Sequence, residues 1–114
     1  MAASNLSLLQ GTLDVLVLKA LIFGPQHGYG VVRWIRDTTD GALEIEEGAL
    51  YTALHRMEKR KWLRSEWGQS ENNRRAKYYA LTEEGRGQLA TGTRRLTAYA
   101  EALFKVLGAT EATP

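Results

Sequence analysis

The sequence predicts a mainly α-helical fold with one small β-hairpin, and three observations carry that prediction. Apolar residues recur at helical spacing in several separate stretches. Two runs rich in Trp and Tyr flank the polar linker Gln69–Arg75, as the strands of a hairpin do. Gly24-Pro25 falls between helical stretches, where a proline can end one without breaking it.

Composition narrows the function classes. The 114 residues suit one domain, and 44% hydrophobic with 25% charged residues is a globular balance. No cysteine is present, which excludes disulfides, thiolate nucleophiles and sulfur-ligated zinc. His27 and His55 match no metal-ligand spacing, so neither a metal nor a cofactor is expected. No apolar run reaches membrane-spanning length, and the opening MAASNLSLLQ lacks a basic leader, so a cytoplasmic protein away from membranes is expected. A chain of this size buries only about 65% of the surface its unfolded form exposes, which makes a second subunit useful.

The first helix is predicted over 11–23. Its Thr12–Phe23 stretch is apolar at nearly every position except Asp14 and Lys19, so most sides must be buried. A second helix runs from Gly28 to Thr39, with Val31, Val32 and Ile35 as its stripe and Asp40-Gly41 as its stop. His27, just before it, reads as a cap or turn residue. Ala42–Ile45 reads as a short extended piece. The third helix spans Gly48–Lys61, with Glu46 and Glu47 at the end whose dipole favours negative charge. At about 100° per residue, Leu50, Ala53, Leu54 and Met57 share one face, and Gly48, Thr52, His55, Arg56 and Lys59 the opposite one. Tyr51 lies between the two, open to packing or to a phosphate or base contact. A helix with one core face and one small, polar, basic face suits a DNA major groove.

Strands Leu63–Gly68 and Ala76–Leu81 follow, with Asn72-Asn73 at the hairpin tip. Arg74, Arg75 and Lys77 come directly after that tip and suit a phosphate backbone or a minor groove. Trp34, Trp62 and Trp67 read as packing at element junctions. Thr82-Glu83-Glu84 caps a last helix that reaches Leu107, about 37 Å at 1.5 Å per residue. Leu89, Leu96 and Leu103 recur every seven residues there, joined by Tyr99, Ala100, Phe104 and Leu107. This seam wants a second copy, paired through the last helix and through Leu9, Leu13 and Leu16 of the first.

Charge is concentrated. From His55 to Tyr79 eight Lys/Arg oppose three acids, a local +5 that leaves −3 for the rest of a chain of formal net charge +2. A basic segment beside an acidic remainder is the footprint of a polyanion-binding face. The elements in order make a winged helix-turn-helix over residues 1–81, a C-terminal dimerisation helix over 82–107 and a flexible tail over 108–114.

The residues also carry a family likeness. Leu9-Gln10-Gly11-Thr12-Leu13-Asp14, His27-Gly28-Tyr29-Gly30, Glu47-Gly48-Ala49-Leu50-Tyr51, Leu54-His55-Arg56-Met57-Glu58, Ser65-Glu66-Trp67-Gly68 and Arg74-Arg75-Ala76-Lys77-Tyr78-Tyr79 together resemble the PadR family of bacterial transcriptional regulators. The likeness is to its short-tailed branch with a single C-terminal helix, and it covers about Leu8–Leu107. It implies a homodimeric winged-helix repressor on a roughly palindromic double-stranded operator, released by a small-molecule effector bound near the dimer interface. It implies groove or phosphate contacts from Ala49, Tyr51, Thr52, His55 and Arg56, wing contacts from Arg74, Arg75 and Lys77, and phosphate contacts from Gln10 and Tyr29.

Three departures stand out. Ala49 replaces a frequent Ser or Thr, Thr52 replaces a frequent Pro, and Leu96 stands where drug-binding relatives carry a stacking Trp. With about four phosphate contacts per subunit, the slope of log K against log salt would be near −7. The alternative is a winged-helix protein-interaction module without direct DNA binding. An enzyme is not expected, for no nucleophile–base pair or phosphate-binding glycine loop can be placed.

Overall fold

The computed structural model describes residues 10–112. Helix α1 (Gln10–Ala20) tightens into a single 3-10 turn, Leu21–Phe23. Gly24, at a φ of 131°, then reverses the chain ahead of Pro25, an angle that side-chain-bearing residues rarely adopt. Strand β1 (Gln26–His27) leads directly into α2 (Gly28–Thr38), and α3 (Glu47–Lys59) follows after a loop. The hairpin is β2 (Leu63–Gln69) and β3 (Arg75–Leu81), and α4 (Glu83–Leu107) completes the chain.

The sheet has three antiparallel strands in the order β1-β3-β2, with Gln26 opposite Tyr79 and Trp67 opposite Lys77. Only two of the three were expected. Strand β1 is two residues long, too short to show the alternation that marks a strand. The Ala42–Ile45 stretch, conversely, is no strand: it joins no ladder. Its apolar members serve the core instead, Ile45 fully and Leu43 in part. The Thr39 hydroxyl holds the loop's entry, donating to the Ile35 carbonyl at 2.9 Å and accepting from the Leu43 N–H at 3.1 Å.

Caps explain the helix boundaries. His27 is the α2 N-cap, its Nδ1 accepting from the Gly30 N–H at 3.0 Å. Thr82 caps α4 in the same way, accepting from the Gly85 N–H at 3.0 Å. Helix α3 ends two residues before the predicted Lys61. That residue adopts a left-handed φ of 69°, and its N–H donates to the Glu58 carbonyl while that of Trp62 donates to Met57, closing a Schellman turn. A lysine there gives no sequence signal, since glycine is the usual marker.

The core is one cluster. Val17, Leu18 and Leu21, Val31 and Ile35 of α2, the predicted α3 face of Leu50, Ala53, Leu54 and Met57, and Leu63, Tyr79, Leu81 and Leu89 are all buried. Gly85 lets α4 start hard against the end of α3, for a Cβ there would lie 2.1 Å from the Trp62 carbonyl oxygen. Beyond its first turns α4 projects. The radius of gyration, 16.1 Å, exceeds the roughly 13 Å of a compact domain of this length.

Candidate nucleic-acid interface

Helix α3 presents Gly48, Ala49, Tyr51, Thr52, His55 and Lys59 to solvent, while its opposite face is sealed in the core. This is the predicted division except at Arg56, which was placed on the outer face, and it follows from period 3.6. Tyr51, 42% exposed, lies over Gly28: a Cβ at Gly28 would sit 2.5 Å from the Tyr51 hydroxyl. The glycine at the start of α2 therefore makes room for a tyrosine of α3.

The wing is built to hold its tip. The Ser70 N–H donates to the Arg74 carbonyl at 2.8 Å, and Asn73 takes a left-handed φ of 61° to close the turn. The Tyr78 hydroxyl donates to the Gln69 carbonyl at 2.8 Å. Arg75 stacks its guanidinium 4.4 Å above the Trp67 ring, which fixes its plane and leaves its N–H edges free. Trp67 is thus more than junction packing: 56% exposed, it is the platform for a wing cation.

Between α2, α3 and the wing runs an open groove of about 940 Å³, walled by Tyr29, Tyr51 and Trp67 and by Arg33, Arg74, Arg75 and Lys77. Tyr29, predicted as a phosphate contact, is 60% exposed at its rim. Arg33 was not predicted. It bonds Glu71 at 3.3 Å and stands 5.4 Å from the Tyr29 ring, so it ties the wing tip to α2. Its spacing from Tyr29, one helical turn, was the available signal. Burial and then the neighbouring Glu58 push the Tyr79 hydroxyl above the ordinary phenol range.

Two predicted phosphate cations are committed to acids. Arg56 turns inward and donates from Nη2 to Asp14 of α1, with its side chain only 22% exposed. Its position, at the edge of the α3 face, allows either direction, and the buried carboxylate decides. Lys77 lies 3.5 Å from Glu58, whose other oxygen accepts from the Ser65 hydroxyl. Lys59, Arg74 and Arg75 have no acidic partner among the described residues. Gln10 opens α1.

The family model for the transcriptional regulator PadR-like family matches residues 17–91, most of the chain. The chain belongs to the PadR-like family. It is accordingly a winged-helix regulator rather than an enzyme. A transcriptional regulator structure from Clostridium thermocellum is 31% identical, with a TM-score of 0.76 over 84% of this chain and 93% of that one. A PadR family regulator from Eggerthella lenta is 32% identical (TM-score 0.71, 86% and 83% covered), and one from Clostridium difficile 28% (0.70, 83% and 97%). No helix among the described residues is long and apolar enough to cross a membrane.

The predicted pairing residues of this PadR-like chain divide into two groups. Leu89 is 6% exposed and belongs to the subunit's own core, and Leu13 and Leu16 are partly buried against that core. Leu96 and Ala100 are half-buried, whereas Tyr99, Leu103, Phe104 and Leu107 are exposed along the projecting half of α4, with Val106 beside them. The heptad therefore starts inside the domain and runs out of it. Leu9 lies outside the described residues.

Proposed function

We propose that the chain is a cytoplasmic, homodimeric repressor that reads a roughly palindromic operator and is released by a small effector. One observation carries this reading: Tyr51 of α3 and the wing cations Arg74 and Arg75 border the same open groove, and the exposed Thr52, His55 and Lys59 continue the α3 surface from Tyr51. Helix α3 enters the major groove with Ala49, Tyr51, Thr52 and His55 toward base edges, and Lys59 and the wing neutralise phosphates on either side. Thr52 brings a hydroxyl to the reading face. Gln10, Tyr29 and Gly48 lie toward the backbone.

The exposed apolar end of α4 supports pairing. Phe104 is 70% and Leu107 77% exposed, a surface that a second α4 would cover. Pairing that sets the two α3 helices about 34 Å apart brings each to a major groove on one side of B-DNA. The effector occupies the apolar groove of about 450 Å³ between α1 and α4, bordered by Val15, Leu18, Leu96 and Tyr99. A preference for another spacing of the reading helices is how it weakens DNA binding.

Selection of bound duplexes from random DNA, followed by mobility shift and sedimentation of the complex, tests the reading. The expected result is a half-site repeated about 10 base pairs apart and two chains per duplex. A dimeric chain that binds no duplex would instead favour a protein-docking module.

A further inference from the structure

Asp14 is the single buried charged residue among those described, 7% exposed on a largely apolar helix. Its partner Arg56 comes from the helix proposed to read DNA. The link is anchored at one end only. Arg56 donates to Asp14 through Nη2, while its Nε is buried without any hydrogen-bond partner. Among the described residues the Asp14 carboxylate is the one hydrogen-bond partner of this guanidinium. Arg56 also borders a shallow depression on the α3 surface together with Thr52, His55 and Lys59. A short swing of its side chain brings the cation onto the proposed DNA face.

We infer that Asp14 withholds Arg56 from DNA, acting as a positioning residue that keeps a sequence-blind phosphate contact off the reading face. A charge buried without its counter-charge is expelled to solvent when it has a flexible stem. On this surface the exit for Arg56 lies among the groups proposed to meet the duplex. Phosphate contacts strengthen binding to every sequence alike, whereas base contacts discriminate. Holding Arg56 on Asp14 therefore favours the operator over other DNA. The same bond joins α1, proposed to pair subunits, to α3.

The inference rests on the DNA-binding reading above, and its test separates the two. Affinity for a non-operator duplex is measured by fluorescence anisotropy against salt concentration, for wild type, Asp14→Asn, Arg56→Gln and the double variant. With Arg56 released, the Asp14→Asn slope of log K on log salt should steepen by about 0.9 per subunit, and the operator preference should fall. The double variant should return to the wild-type slope. Arg56→Gln, which removes a cation already withheld from DNA, should leave the slope unchanged. A merely structural role for Asp14 lowers affinity without steepening the slope. An unsteepened Asp14→Asn slope in a chain folded by circular dichroism overturns the inference. So does an Arg56→Gln slope flattened by about 0.9 per subunit, which stands as a test even where Asp14→Asn fails to fold. A wild-type chain that binds no DNA overturns the proposed function itself.

Discussion

Removing the two wing arginines should change how DNA binding responds to salt, by an amount the structure sets. Of the predicted phosphate cations, Arg56 is bonded to Asp14 and Lys77 to Glu58, which leaves Lys59, Arg74 and Arg75 in each subunit. Six such contacts in a dimer, at about 0.9 counterion each, give a log–log slope close to −5 rather than −7. Between 50 and 200 mM salt that is roughly a thousandfold loss of affinity. Changing Arg74 and Arg75 to Ala leaves two contacts per dimer, a slope near −2 and about a tenfold loss over the same range. The thermal midpoint should hardly move, since both side chains are exposed. Anisotropy titrations of one labelled operator at five salt concentrations supply both slopes. A double variant that stays steeper than −4 would refute the assignment of the wing to the backbone.

Three further outcomes follow from local geometry. Gly85→Ala drives a Cβ into the Trp62 carbonyl oxygen, a backbone atom, and should cost about 1–3 kcal/mol, read as a lower urea midpoint. Lys61→Gly relieves a left-handed residue in the turn that ends α3 and should stabilise by about 1 kcal/mol in the same assay; destabilisation would argue against the turn. Burial outweighs Arg56 at Asp14 and holds its carboxyl above the ordinary 3.8, so the native chain binds this proton more tightly than the unfolded one does. The contribution of Asp14 to stability is therefore most favourable below that value and declines as pH rises through the folded one. The stability of wild type minus that of Asp14→Asn, measured from pH 3 to 7, should fall; a rise would reverse the sign of the shift.

The parts of this molecule governed by near neighbours were legible in its sequence. The inner and outer faces of α3, Arg56 excepted, came from period 3.6, the wing tip from Asn72-Asn73, and the start of α4 from Thr82. What stayed hidden depends on partners far along the chain. Asp14 and Arg56 are 42 positions apart, and no local pattern pairs them, although an acid inside an apolar helix already asks for a cation. Lys77 meets Glu58 only because the hairpin register folds that stretch of β3 back toward α3. Leu89 shares its heptad with Leu103, yet one is core and the other bare, because the domain ends between them. Sequence spacing reports which residues share a stripe and not where the covering surface stops.

The junction at Thr82 has a mechanical consequence. Its hydroxyl reaches the Lys61 carbonyl at 2.6 Å and the Trp62 carbonyl at 3.0 Å, while Gly85 admits no gap between backbone and backbone. The root of the last helix is thus fastened to the turn that ends α3, so a tilt of one strains the other. A tilt of about 5° at that root moves the far end of a 25-residue helix by roughly 3 Å. Small angular strain at one end and a displacement comparable to a base-pair rise at the other are the two readings of a single stiff lever.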